Sequence, residues 1–324
     1  MLSEFSLISR YFERPPRAGS RADLGIGDDC ALLRPAPGMQ TAISSDMLVE
    51  GRHFFAGADP RLLGHKCLAV NLSDLAAMGA KPVAFTLALA LPAADEAWLA
   101  AFSDGLFALA DRHGCELIGG DTTRGPLTIC ITIFGDVPAG QALRRDAALP
   151  GDDIWVSGSL GDARLALAAY RNEITLDAAG LDAAGPRMHA PEPRIALGLA
   201  LRGIAHAAID ISDGLAGDLA HILERSAVGA TVDADALPAG PVLSKQPQAL
   251  RRDYTLAGGD DYELCFTVPP SLRGTVETLA ADTGLALTRI GTIDAQAGLR
   301  LVDSTGAPLS LHVHSFDHFT TSAP

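Results

Sequence analysis

The sequence predicts a two-domain α+β protein. Three observations carry that prediction. The chain has 324 residues, enough for two domains of ordinary size. Runs rich in β-branched residues alternate with segments of helical periodicity, yet several long strands have no helix after them, which favours α+β over a doubly wound sheet. A polar, turn-rich segment, LRRDAALPGDD (143–153), separates two strand-like runs and places a boundary between domains 1–148 and 149–324.

Taken in order, the strand signals are 41–46, 83–89, 127–137, 153–158, 207–212, 230–235, 263–268, 287–293 and 299–302, each bounded by Gly, Pro or Asp. Helical spacing marks 61–78 and 95–112, where Trp98, Phe102, Leu106 and Leu109 fall on one stripe. Further helices are expected at 161–171, 193–202, 214–226 and 271–283. The Ala-, Gly- and Pro-rich stretch 177–193 reads as a loop or insertion. A weak internal echo, ISSDML (43–48) and DISDGL (210–215), runs strand, acidic turn, helix in both halves.

Composition narrows the function. Apolar residues make up 48% and charged residues 20%, so a packed core is expected. The net charge of −14 makes nucleic acid and anionic membranes poor partners. Lysines number only three, Lys66, Lys81 and Lys245, so arginine supplies most cationic contacts. The five cysteines form no CxxC pair, which gives neither a zinc site nor a disulfide framework and suits a reducing cytoplasm. The N-terminus lacks the apolar core of a signal peptide, and the apolar run 83–94 is too short to span a bilayer.

No P-loop, protein-kinase, GxGxxG, EF-hand or HExxH pattern occurs. What recurs is aspartate at the ends of apolar segments: Asp29, Asp46, Asp74, Asp121, Asp210 and Asp213. Each alone reads as a cap or a turn. Together, if their ends converge, they repel: two unit charges ~4 Å apart cost ~4 kcal/mol at an effective dielectric near 20. Bound cations relieve that repulsion. Carboxylate and hydroxyl donors without a soft partner select Mg²⁺, which binds through a few carboxylates plus substrate phosphates. IGGDTTRG (118–125) sets two glycines before Asp121 and could bring backbone close to a ligand. Arg144 and Arg145 could grip phosphate, and Ser44 and Ser45 could offer hydroxyl or carbonyl oxygens to a metal. His53 lies near two acids, with no role fixed by its surroundings.

The ordered set GIGDDCALL, AISSDMLVEGRHF, NLSDLAAMGAKP, LIGGDTTRGP, GDDIWVSGSLGD, IDISDGL, AGGDDYELCFTV and FDHF resembles the thiamine-monophosphate kinase family. GDD, NLSD-AAMGA, GGDT and DGL are shared with the wider aminoimidazole ribonucleotide synthetase superfamily. EGxHF, GGDDYEL and DHF narrow the likeness to the kinases. The resemblance implies a two-domain α+β fold whose N-terminal domains pair across a homodimer, with a mixed α/β C-terminal domain. It implies ATP-dependent phosphorylation of thiamine monophosphate to thiamine diphosphate, the final step in making that cofactor.

By motif match, Asp29, Ser44, Ser45, Asp46, Asp74, Asp121, Asp210 and Asp213 fall where the family holds Mg²⁺, with Asp46, Asp121 and Asp213 central to catalysis. Gly120, Asp121, Arg145 and Ser212 fall at the ATP position. His53, Asp260 and Phe316 fall at the thiamine-phosphate position. Two departures stand out: His113 replaces a frequent Tyr, and Asp260 replaces a frequent Glu. The wider superfamily offers a synthetase acting on an amide, formyl group or selenide as the alternative. No cysteine precedes Cys30, which argues against selenophosphate chemistry. A non-catalytic nucleotide-binding sensor is the reading from a different class.

Overall fold

The computed structural model describes residues 4–310. The chain divides into two compact units, one formed by Met1–Leu75 and Ala80–Ala142, the other by Ala76–Gly79 and Leu143–Pro324.

In the first unit, α1 (Glu4–Tyr11) leads to a short pair, β1 (Ala22–Leu24) and β2 (Leu32–Leu33). The rest is a four-stranded sheet with two helices. Its strands are β3 (Met39–Val49), β4 (Lys81–Leu91), β5 (Glu116–Arg124) and β6 (Thr128–Pro138), in the order β3-β6-β4-β5. The helices are α2 (Pro60–Ala77) and α3 (Glu96–His113). Alternation governs β6: Ile129, Ile131 and Ile133 are buried, while Cys130, Thr132 and Phe134 are only half-buried. Helix α2 begins where Asp59 Oδ1 accepts from the amides of Arg61 and Leu62, with Pro60 at its first position. Helix α3 is capped by Asp95 and ends at Gly114 with φ 65°. Its buried stripe is Leu99, Phe102, Leu106 and Leu109.

The two helices touch through glycine. A Cβ on Gly64 would lie 2.1 Å from Phe102 O, and one on Gly105 would lie 1.9 Å from Arg61 O. Backbone therefore meets backbone from both sides, which no other residue permits at either position.

The second unit is built on a six-stranded sheet in the order β12-β9-β11-β7-β10-β8. In chain order its elements are β7 (Asp153–Ser157), α4 (Asp162–Tyr170), α5 (Ala178–His189), α6 (Ile195–Ala200), β8 (Ala207–Asp210), α7 (Leu215–Ser226) and β9 (Gly229–Asp233). They continue with α8 (Gln248–Ala257), β10 (Leu264–Val268), α9 (Arg273–Thr283), β11 (Leu287–Asp294) and β12 (Gly298–Val302). All pairings are antiparallel except β12 with β9. One apolar core lies between this sheet and α7, containing Ile154, Val156, Ile209, Leu219, Ile222 and Val232. A second core joins α4, α5 and α8 through Leu165, Met188 and Tyr254.

One expectation is corrected, and one strand is added. Residues 177–193 do not form a loop, because most of them belong to α5. Asp177 caps that helix by accepting from Gly180 N at 2.7 Å, so one of the glycines read as a breaker lies in the first turn. Pro186 is accommodated near the other end. The glycine-rich stretch before Asp121, absent from the expected strands, is regular. It is the edge strand β5, with one extra residue between Leu117 and Gly119 relative to β4.

Candidate active site

In the first unit the expected donors lie on four pieces of chain: β3, α2, the turn between β1 and β2, and β5. Ser44, Ser45 and Asp46 occupy the middle of β3, an edge strand. Successive side chains on a strand point to opposite faces, so these three cannot act as one cluster. Ser44 and Asp46 face α2. The Ser44 hydroxyl donates to the Asp74 carboxylate in a close contact, and the Asp46 amide donates to Asn71 Oδ1 at 3.2 Å. Asn71 and Asp74 are three residues apart on α2 and so share one helix face. Asn71 is fully buried and its Nδ2 donates to Cys67 O at 3.0 Å, which leaves its oxygen to hold β3. The Ser45 side chain turns the other way: its hydroxyl donates to Ile131 O at 3.2 Å and lies 3.0 Å from Thr132 Oγ1. Only the Ser45 carbonyl is left as a possible metal donor.

Asp29 stands exposed in the turn between β1 and β2, with its amide donating to Asp28 Oδ1 at 2.8 Å. His53 follows β3, and its Nδ1 accepts from Val49 N at 3.0 Å. That bond fixes the ring against the end of β3. Asp121 is exposed on β5, at the opposite edge of the sheet from β3.

A single lateral row runs Asp46, Ile131, Leu87, Gly120. Three strand spacings separate its ends, about 14 Å at ~4.8 Å each. Metal–oxygen bonds of ~2.1 Å do not let one Mg²⁺ touch both Asp46 and Asp121 in one copy of this sheet. Gly120 itself has φ 148°, and a Cβ there would lie 1.8 Å from Leu87 O. Its glycine is explained by the approach of β4, not by approach to a ligand.

In the second unit the predicted residues do meet. Asp210 ends β8, and the loop after it carries Ser212 and Asp213 into the start of α7. Asp218, four residues into α7, turns back and accepts from the amides of Ser212 at 3.0 Å and Asp213 at 3.1 Å. Burial and the nearby Asp213 raise the Asp218 carboxyl to about 7, while its two amide bonds and Arg145 pull the other way. Arg145 is thereby placed beside the same loop. Its backbone is anchored where Ser226 Oγ donates to Arg145 O at 2.8 Å.

Against this loop packs a second one, residues 258–263. Asp260 N donates to Ser212 O at 2.9 Å, Tyr262 N donates to Ile211 O at 2.8 Å, and Ile211 N donates to Glu263 O at 2.8 Å. Asp260 and Tyr262 both adopt left-handed backbone, φ 66° and 50°. Such conformations cost on the order of 1–3 kcal/mol each and persist only where the surroundings dictate them. The Asp260 carboxylate accepts from Tyr262 OH at 3.2 Å. The buried Asp261 carboxylate accepts from Gly161 N at 2.9 Å, and burial raises its pKa well above the usual range. Arg145, Ser212, Asp213 and Asp260 thus share one neighbourhood. Phe316 lies outside the described residues. Sequence reading missed Asn71, Asp218 and Glu263. Asn71 stands three residues before the expected Asp74 on the same helix, a signal that was available, whereas Asp218 lies five residues past Asp213, inside α7, and meets it only because the loop before that helix folds back.

Among the described residues, no three His, Cys, Asp or Glu side chains are gathered into a metal-binding group. The donors are nevertheless hard oxygens throughout: Ser44 hydroxyl against Asp74 carboxylate, Asp46, Asp29 and Asp213. Of the thiols, Cys30 follows Asp29 in the exposed turn, and Cys130 lies beside Ser45 on the other face of β3. In kind, this donor set fits Mg²⁺.

Residues 27–137 match the N-terminal domain of AIR synthase related protein, and residues 150–304 match its C-terminal domain. The thiamine-monophosphate kinase of Salmonella typhimurium is 49% identical over 326 residues, covering 98% of each chain. The crystal structure of thiamine-monophosphate kinase from Stenotrophomonas maltophilia K279a superposes with a TM-score of 0.83 at 49% identity, covering 89% of this chain and 92% of that one. A structure of AaThiL complexed with AMPPCP and TMP gives a TM-score of 0.76 at 29% identity, covering 91% and 92%.

Proposed function

The chain belongs to the thiamine-monophosphate kinase family of AIR synthase related proteins, and from that premise we propose that it transfers the γ-phosphoryl group of ATP to thiamine monophosphate, giving thiamine diphosphate and ADP. The observation that carries this reading is 49% identity to a thiamine-monophosphate kinase across 98% of both chains. The AaThiL complex supports it, since AMPPCP is an ATP in which a methylene group blocks γ-transfer.

The acceptor needs no general base. A phosphomonoester has a second pKa of ~6 and is largely dianionic at neutral pH. The difficulty is the approach of one anion to another, so catalysis rests on positioning and charge neutralisation. Asp29, Ser44, the Ser45 carbonyl, Asp46, Asp74, Asp121, Asp210 and Asp213 would hold Mg²⁺. When bound, Mg²⁺ supplies positive charge between the two phosphate groups and orients them in line. Asn71 fixes the strand that carries Asp46, and Ser44 orients Asp74. Arg145 and the Ser212 loop with Gly120 are read as the ATP contacts. His53, Asp260 and Phe316 are read as the acceptor contacts, an aromatic face suiting the thiazolium cation.

The separation of Asp46 from Asp121 across one sheet supports a homodimer. Pairing of two copies would bring the β5 edge of one near the β3 edge of the other. The open face of β3 also exposes Ile43 and Met47, 63% and 56% accessible, as a pairing face requires. No helix among the described residues is long and apolar enough to cross a membrane, and we place the enzyme in the cytoplasm.

The test is direct. Purified protein is incubated with ATP, Mg²⁺ and thiamine monophosphate, and the thiamine esters are separated as fluorescent thiochromes. Equal amounts of thiamine diphosphate and ADP, both lost on chelation, are expected. ADP without thiamine diphosphate would move the acceptor to another superfamily substrate, and bound ATP without turnover would favour a sensor.

A further inference from the structure

We propose that Glu263, clamped by Arg187 and Arg194, positions Asp260 for the acceptor substrate. The proposal rests on the reading of Asp260 as an acceptor contact. Glu263 is fully buried, yet its carboxylate is satisfied on both oxygens. Oε1 accepts from Arg187 Nη2 at 2.8 Å and Arg194 Nη2 at 2.5 Å. Oε2 accepts from Arg194 Nε at 2.6 Å and Ser157 Oγ at 2.6 Å. The Arg194 contact is two-pronged, the geometry that fixes a carboxylate's plane as well as its place.

Arg187 does more than neutralise. The same Nη2 also reaches Ser159 O and Asp261 O, each at 3.3 Å. It therefore joins the 159–161 turn, whose Gly161 amide holds Asp261, to the strained 258–263 loop. Two left-handed residues, Asp260 and Tyr262, flank Asp261 in that loop. A loop with such backbone relaxes to commoner conformations unless both its ends are held. Hydrogen bonds to Ile211 and Ser212 hold one side, and the Glu263 clamp holds the other. Both arginines come from the 178–194 stretch, most of which the sequence presents as an insertion. That stretch thus carries two cations to the back of the loop. Neither arginine is asked to touch substrate, so all three are positioning residues.

The test compares acceptor with nucleotide. Full-length Arg187→Gln is assayed for KM toward thiamine monophosphate and toward ATP, with its thermal midpoint recorded. We expect the acceptor KM to rise about tenfold or more while the ATP KM stays within about twofold. Arg187→Lys should restore part of the loss. In an Asp260→Ala background, Arg187→Gln should add less than about twofold, because both changes act through one contact. Equal rises for both substrates, or effects that multiply in the Asp260→Ala background, overturn the proposal. If Asp260→Ala raises the acceptor KM and Arg187→Gln does not, the proposal fails alone. If Asp260→Ala leaves the acceptor KM unchanged in an active enzyme, the acceptor reading has failed and takes the proposal with it. Should Arg187→Gln not fold, Arg187→Lys and Ser157→Ala carry the same measurement.

Discussion

The two units hold their candidate site residues by opposite means. In the first, Ser44, Asp46 and Asp121 sit on regular strands, placed by register and alternation, and lie apart at two sheet edges. In the second, Ser212, Asp213 and Asp260 sit on irregular loops, placed by a buried polar network and two left-handed residues. A strand needs little polar scaffolding to present a side chain, here the single buried amide of Asn71 against Asp46 N. A strained loop does need scaffolding, so chemistry and stability are bound together there.

The largest effect expected from this contrast is on Glu263. Glu263→Ala leaves Arg187 and Arg194 facing an empty buried site, and removing one partner of a buried pair costs about 3–5 kcal/mol. Urea denaturation should report that loss together with lost activity. A variant with wild-type stability would break the contrast.

Next comes Asp46→Asn. It should lower turnover on the order of a hundredfold or more, the scale of losing one preorganised electrostatic contact, with stability nearly unchanged. Near-normal turnover at low Mg²⁺ would remove Asp46 from the metal site, and a large stability loss would mean that the β3 donors are structural after all.

The smallest effect sharpens the comparison inside the second unit. Asp235 accepts from Arg252 at 2.8 and 2.7 Å and from Gln248 at 2.9 Å, away from the loops. Arg252 chiefly holds its carboxyl well below the usual carboxylate range. A depressed folded-state pKa gives stability that is present above the unfolded value of ~3.9 and is lost as pH falls through the folded value. Asp235→Asn should therefore flatten the acid limb of the stability profile below about pH 4 and leave turnover at neutral pH untouched. An unchanged acid limb would show that this pair contributes nothing measurable, as many surface pairs do.

Much of the architecture was legible because its signals are local. The β3, β4 and β6 strands announce themselves through β-branched runs, and the α3 stripe through Phe102, Leu106 and Leu109. Helix α5 was hidden because Gly180, Gly185 and Pro186 count as breakers, although Asp177 caps the start and Gly180 falls in the first turn. Strand β5 was hidden because paired glycines read against a strand, and the need for Gly120, its close approach to Leu87, is visible only once β4 lies beside it. The aspartates were legible as a set, but not their separation: Asp46 and Asp121 both follow apolar runs, while strand order alone sends them to opposite edges. Glu263 could not be found at all from spacing, since its partners Arg187 and Arg194 lie 76 and 69 residues away in sequence.

The reciprocal glycines of α2 and α3 have a consequence for how such chains diverge. Gly64 stands ten residues before Asp74, about 15 Å along the helix at 1.5 Å per residue. It offers no chemistry, yet a methyl group there or on Gly105 would lift α2 off α3 and carry Asp74 away from Ser44. Neither position can drift alone, because repairing one leaves the other still closed. The demand for keeping Asp74 against Ser44 is thus passed on to two glycines that have no side chain of their own to offer.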